Sequence, residues 1–116
     1  MQIKYFELAK SMCKFSNFKF KLGCVIVNKN KVIAMGHNSL KTHPRSPSFY
    51  KFLHAETHAL IKSGRKELKG SDVYVARKLK NGNSALARPC IDCEKALLEA
   101  GVENIYFTDY MGYGKI

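Results

Sequence analysis

Residues 72–108 read DVYVARKLKNGNSALARPCIDCEKALLEAGVENIYFT, and this stretch decides the fold. It opens on an apolar run rich in β-branched and aromatic side chains, DVYVAR (Asp72 to Arg77), which reads as a strand. The polar loop KLKNGNSALARP follows. CIDCEKALLEA (Cys90 to Ala100) then has the spacing of a helix, with Pro89 immediately before it and Gly101 just after, the residues that start and stop helices. NIYFT (Asn104 to Thr108) is a further strand. Strands separated by helices imply right-handed crossovers and parallel pairing, with the helices lying on the faces of a sheet.

The chain upstream extends the same plan. After His54, AETHALIKS is helical, with Ala55, Ala59, Leu60 and Ile61 available for packing and Gly64 as its stop. GCVIVN (Gly23 to Asn28) and KVIAMG (Lys31 to Gly36) flank a short Lys/Asn turn, the pattern of a β-hairpin. Gln2 to Phe15 form a first helix that places Ile3, Phe6, Ala9, Met12 and Cys13 on one face. His37 to Leu53 hold two prolines and no sustained period and read as a long loop, which in a small domain is usually either functional or disordered. The tail DYMGYGKI has room for one reversing turn and at most a short edge strand. These elements predict an α/β fold: a three-layer α/β/α sandwich around a mixed sheet of four to five strands with an initial β-hairpin. Residues 1–116 form a single domain on this reading.

Composition narrows the class of function. No run of eighteen apolar residues occurs, and the N-terminal MQIKYFELAKSMCKF mixes lysines among its apolar positions, so no membrane span and a cytoplasmic location are expected. The chain carries 20 Lys+Arg against 9 Asp+Glu, a formal charge of +11, which attracts phosphate-bearing partners. Free nucleotides and polynucleotides both qualify, and scattered lysines also serve solubility. Of the four cysteines, Cys90 and Cys93 have the spacing of metal or redox chemistry, whereas Cys13 and Cys24 read as buried small apolar side chains.

Three side chains of metal-ligand type stand at helix starts: His54 on one helix, Cys90 and Cys93 one turn apart on another. Three protein ligands leave tetrahedral zinc one open position, the mark of a catalytic rather than a structural site. Glu56, two residues after His54, is directed differently and suits a proton carrier. Both helix N-termini would aim partial positive charge at the site and stabilise thiolates there. Each motif alone has another reading: a helix start with an ordinary acid, a redox dithiol, or half of a structural zinc site. His58, one turn after His54, reads as a packed or solvated histidine.

Taken together, His54-Ala55-Glu56 and Pro89-Cys90-Ile91-Asp92-Cys93 resemble the two zinc motifs of the cytidine and deoxycytidylate deaminase superfamily. The element order agrees with that family from Gln2 to Thr108, and the brevity of the chain resembles its small phage-type members. The resemblance implies one Zn2+ per chain on His54, Cys90 and Cys93, and hydrolytic deamination of cytosine to uracil by zinc-activated water. Glu56 would shuttle the proton from water to the ring nitrogen and on to ammonia. Asn38, in GHNS, resembles the asparagine that contacts base or sugar, although asparagine after a strand is also a turn residue. The N–H of Ala55 resembles the donor to the pyrimidine carbonyl.

Substrate residues come from two loops. HNSLKTHPRSPSFYKFL presents Lys41 and Arg45, and the second loop presents Arg77, Lys78, Lys80 and Arg88; Lys41, Arg45 and Arg88 are the expected phosphate contacts. A free deoxycytidylate-like nucleotide or nucleoside is therefore the expected substrate. Two alternatives stay open: a polynucleotide deaminase acting on cytosine or adenine in RNA or single-stranded DNA, and a zinc-stabilised nucleotide- or nucleic-acid-binding module without turnover. KFSNFKFK (Lys14 to Lys21) alternates basic and aromatic residues, as in some single-strand binding surfaces. The resemblance also implies a homo-oligomer, and the tail leaves no room for the C-terminal helix that many members place against the pocket.

Overall fold

Alternating side chains along three strands divide the core into two halves. Cys24, Ile26, Val73, Val75, Ile105 and Phe107 lie in one buried cluster, while Val25, Val27, Tyr74, Ala76 and Tyr106 lie in the other. The structure is a computed structural model that describes residues 1–17, 20–39, 54–64 and 68–116. Its elements are α1 (Ile3–Met12) with a 3₁₀ turn at Cys13–Phe15, β1 (Lys21–Asn28), β2 (Lys31–His37), α2 (Ala55–Ser63) and β3 (Asp72–Lys78). β4 (Ser84–Ala85), α3 (Ile91–Glu99), β5 (Asn104–Asp109) and β6 (Gly112–Lys115) complete them. α1 packs through Tyr5, Phe6 and Ala9 on one face of the sheet. α2 and α3 pack on the other through Ala55, Ala59 and Leu97. The three layers expected from the sequence are present.

The sheet order is β2-β1-β3-β5-β6, with β4 paired to β3 off that path. Pairing departs from expectation in one respect. β3 and β5 are parallel, but β1 is antiparallel to both β2 and β3, so the connection through α2 carries the chain across β1 instead of to an adjacent parallel strand. The reason lies in β1 itself: Cys24 to Val27 are buried on both faces, and a strand buried on both faces sits in the middle of a sheet with both edges paired. The hairpin covers only one edge. Among the described residues six strands replace the four to five expected, because the second loop contributes the two-residue β4 and the tail folds back as the edge strand β6.

Local chemistry explains the joints. Lys29 (φ 52°) and Asn30 (φ 62°) both take left-handed conformations, the geometry of a two-residue hairpin turn. α2 ends at Gly64, whose φ of 65° and N–H to the Ile61 carbonyl (3.1 Å) close the helix. On α1, Ile3, expected on the buried face, is 54% exposed, and Tyr5 is buried in its stead at 5%. The Tyr5 ring packs 5.3 Å from that of Tyr74, whose hydroxyl accepts the Gln2 N–H at 3.1 Å. Among the described residues no helix is long and apolar enough to cross a membrane.

One glycine sets how closely α2 approaches the sheet. A Cβ on Gly36 of β2 would stand 2.5 Å from the Ala59 nitrogen and 2.6 Å from the Ala55 carbonyl oxygen. Only a residue without a side chain lets the α2 backbone lie this close to the sheet.

Candidate active site

His54 and Cys90 occupy equivalent places. Each is the extended residue just before a helix, His54 (φ −75°, ψ 148°) before α2 and Cys90 (φ −66°, ψ 165°) before α3, and neither side chain caps its own helix. Their carbonyls already accept the first helical bonds, from His58 and Glu94 at 2.9 Å each. The imidazole and the thiol are thus left to face each other across two neighbouring helix tips. Cys93 joins them from the first turn of α3.

His54 Nδ1 lies 3.2 Å from Cys93 Sγ and 3.9 Å from Cys90 Sγ. The three candidate ligand atoms all lie within 4.8 Å of one another. Zinc–nitrogen and zinc–sulfur bonds of about 2.0 and 2.3 Å at tetrahedral angles place N and S roughly 3.6 Å apart, between the two observed values. A nitrogen and two sulfurs are also the donor types zinc prefers over harder cations. The residues fit the metal, and the set of three leaves a position for water or substrate.

Burial tunes the titrating groups. The pKa of His54 is lowered by burial, against the opposing charge of Asp92, which favours the neutral imidazole that binds metals. That of Cys93 is raised, first by burial and then by the negative charges of Glu56 and Cys90, so this thiol releases its proton only when a cation offsets the cost. Thr57 Oγ1, 4.0 Å from Cys93 Sγ, is a neighbour that sequence reasoning missed. The Glu56 carboxyl is raised by burial, partly countered by its own backbone N–H and by Cys93. A carboxyl 4% exposed beside a thiol can carry a proton at a pH where an ordinary glutamate would have lost it.

A cavity of about 210 Å³ opens at this cluster, and His54, Glu56, Cys90, Ala55, Asn38 and Arg88 contribute to its wall with Phe20 and Leu22. Ala55 is the first residue of α2, where a backbone N–H has no intrahelical acceptor. Asn38 is buried; its Nδ2 donates to the Phe20 carbonyl and its Oδ1 accepts the Leu22 N–H at 3.0 Å, so it staples the end of β2 to the start of β1. Arg88 stands at the rim, 3.9 Å from the Glu94 carboxylate and 5.7 Å from the Phe107 ring centroid. Lys41 and Arg45 lie outside the described residues.

Other candidates are placed elsewhere. Cys13 and Cys24 are both buried, as expected, and burial with the nearby charges of Glu56 and Cys93 pushes the Cys24 thiol far up. His58 faces β2: its Nδ1 accepts the His37 N–H at 3.0 Å, and the two rings meet edge-on at 4.7 Å. A second missed residue is Thr108, whose buried hydroxyl donates to the Ala85 carbonyl (2.8 Å) and accepts the Arg77 N–H (3.1 Å). Its own carbonyl accepts the Ala87 N–H at 2.9 Å, which ties down the segment leading into Pro89 and Cys90. Nothing in the local sequence marks this threonine.

A mixed sheet between one helix and two brings an imidazole, two thiols and a buried carboxyl together at two helix tips, the arrangement of a zinc-binding domain with one open metal position. Residues 1–109 match the family described as the cytidine and deoxycytidylate deaminase zinc-binding region, and the chain belongs to that family. It is 29% identical to a deoxycytidylate deaminase of Schizosaccharomyces pombe over 91% of this chain and 36% of the relative. Identity to the Homo sapiens deoxycytidylate deaminase is 22%, over 72% of this chain and 49% of that one. The chain therefore spans between about a third and a half of the length of these curated relatives. Among solved structures, dCMP deaminase from the cyanophage S-TIM5 in apo form superposes with a TM-score of 0.68 at 25% identity, over 92% of this chain and 81% of that one. The same cyanophage protein has a structure in complex with dCMP and dUMP, which superposes with a TM-score of 0.70. Cytidine deaminase from Mycobacterium leprae shares the fold, at 21% identity and a TM-score of 0.64.

Proposed function

We propose that this chain catalyses the hydrolytic deamination of cytosine in a free, deoxycytidylate-like nucleotide, releasing uracil nucleotide and ammonia. The observation that carries this reading is the buried Glu56 carboxyl on the wall of the cavity that also exposes His54 and Cys90. His54, Cys90 and Cys93 hold the metal. Zinc, when bound there, supplies the Lewis acidity that makes water easier to deprotonate near neutral pH.

The remaining roles belong to the protein. Glu56 accepts the proton of the attacking water as its oxygen adds to C4 of the ring, and delivers that proton to N3. It then takes the proton of the new C4 hydroxyl and passes it to the exocyclic nitrogen as the C4–N bond breaks, so that ammonia leaves and the carbonyl forms. A carboxyl held above its ordinary range by burial suits this traffic, because it can hold the proton between the two transfers. The free N–H of Ala55 donates to the pyrimidine carbonyl and orients the ring. Asn38 fixes the wall against which base and sugar lie, and Arg88 meets the phosphate together with Lys41 and Arg45.

The relatives support the substrate: the curated ones named above are deoxycytidylate deaminases, and the cyanophage protein has a structure in complex with dCMP and dUMP. The test is an ammonia-release screen of the zinc-loaded protein across cytidine, deoxycytidine, dCMP and dCTP. The monophosphate should give the highest kcat/KM, and the triple variant Lys41→Ala, Arg45→Ala, Arg88→Ala should weaken dCMP more than deoxycytidine. Equal losses on both would remove the phosphate contacts, and no ammonia from any cytosine compound would remove the reaction. The same sample, passed through light scattering, should give a mass above that of one chain.

A further inference from the structure

Phe20 belongs to two cavities. One is the candidate active site, and the other is a cleft of about 410 Å³, roughly twice its size, that the deaminase reading does not use. Five cations line this cleft: Lys14 from the 3₁₀ turn after α1, Lys21 at the start of β1, Arg77 and Lys78 at the end of β3, and Lys80 in the loop beyond. Among the described residues the ion pairs are Lys10–Glu7 and Arg88–Glu94, so none of the five has a carboxylate partner there. The Arg77 guanidinium stacks 4.7 Å from the centre of the Phe20 ring, and the Lys21 ammonium donates to the Ser16 carbonyl at 2.6 Å.

Five like charges around one depression repel one another, and a chain of +11 offers no surplus of acids to offset them. A mononucleotide in the neighbouring pocket brings its phosphate to Arg88 and leaves these five unpaired. A polyanion neutralises them, and releases counterions in doing so. The ligand must also pass an aromatic ring, since Phe20 is 44% exposed and forms the divide between cleft and pocket. Cations interleaved with an exposed aromatic form the surface that holds single-stranded nucleic acid without reading its sequence. This is also how the alternation of Lys14 to Lys21 reads.

We propose that the cleft lined by Lys14, Lys21, Arg77, Lys78 and Lys80 binds the phosphodiester backbone of single-stranded nucleic acid, alongside the active-site cavity across Phe20. This surface is independent of the deamination reading. It requires neither zinc nor turnover.

The experiment is fluorescence anisotropy of a labelled single strand of about 12 nucleotides, the span of one small binding surface, titrated across salt. The proteins are the wild type, the cleft variant Lys14→Ala, Lys78→Ala, Lys80→Ala, and a control of equal charge, Lys29→Ala, Lys31→Ala, Lys115→Ala, at the hairpin turn and on edge strand β6. All six lysines are exposed, and near-ultraviolet dichroism checks that each protein is folded. The wild type should bind with strong salt dependence. The cleft variant should lose at least about tenfold in affinity and about 2 from the log–log salt slope, since each single-strand phosphate contact contributes roughly 0.7. The control should lose far less on both measures. Equal losses in the two variants, or no binding by the wild type at low salt, overturn the proposal. So does inorganic triphosphate bound as tightly as the strand and lost with the same three lysines, which would make the cleft a compact polyphosphate site.

Discussion

Two helices on opposite faces of the sheet, α1 and α2, are seated with different materials. Against α1 the core is aromatic: Phe6 meets Tyr74 edge-on at 5.0 Å and stacks on Tyr113 at 4.3 Å, while Tyr74 and Tyr106 lie 4.9 Å apart. Against α2 the contact is made by Ala34, Gly36, Ala55 and Ala59, with Cys24 buried in the same cluster. Rings supply large apolar area but hold backbones apart. Small residues supply less area and let a helix backbone rest on the strand, which fixes where its first residue points. The aromatic contact anchors α1, and the small-residue contact lets α2 place its part of the chemistry.

Five substitutions test that division. Cys90→Ala or Cys93→Ala should abolish zinc binding, from about one ion per chain to none, because two remaining ligands do not form a site. Elemental analysis showing unchanged zinc in both would break the assignment of the ligand cluster at the two helix tips. Phe6→Ala, on the aromatic face, should cost about 3–5 kcal/mol in denaturant unfolding. The fraction that stays folded should still carry one zinc per chain, and a loss of metal there would show that the faces are not separable.

Glu56→Gln should retain zinc and lower kcat at least about a hundredfold, measured by ammonia release. It also carries a pH signature. Because burial raises the folded-state pKa of Glu56, the folded chain holds a proton that the unfolded chain has released between the ordinary glutamate pKa and the raised one. In metal-free protein this contribution to stability is present below the ordinary pKa and is lost as pH rises through the folded value. The glutamine variant should show a flatter melting-temperature profile over that window, and identical profiles would contradict the burial argument. Gly36→Ala should cost about 1–3 kcal/mol or more and lower the zinc content of the folded protein, since the new Cβ meets helix backbone and not a flexible side chain. Full zinc occupancy in this variant would show that α2 can shift without disturbing His54.

The sequence makes most of this division readable. The short apolar runs rich in β-branched and aromatic residues in DVYVAR and NIYFT and the helical spacing after Cys90 are local properties, and they locate β3, α3 and β5. The ligand cluster is readable for the same reason, because His54, Cys90 and Cys93 sit at helix starts that Pro89 and the flanking pattern announce. What escapes is tertiary. β4 has two residues and no period of its own; it exists because Thr108 and β3 supply hydrogen-bond partners from elsewhere in the chain. The insertion of β1 between β2 and β3 depends on which edges are left unpaired, a property of the whole sheet. Asn38 is legible as a polar residue after a strand, but its grip on the backbone of Phe20 and Leu22 appears only when the hairpin is folded.

X-ray absorption at the zinc edge of the purified protein examines the metal centre itself. Two sulfur neighbours at about 2.3 Å and two nitrogen or oxygen neighbours at about 2.0–2.1 Å are expected, for Cys90, Cys93, His54 and one exchangeable position. A shell of four sulfurs, or one without sulfur, would contradict the site at the two helix tips.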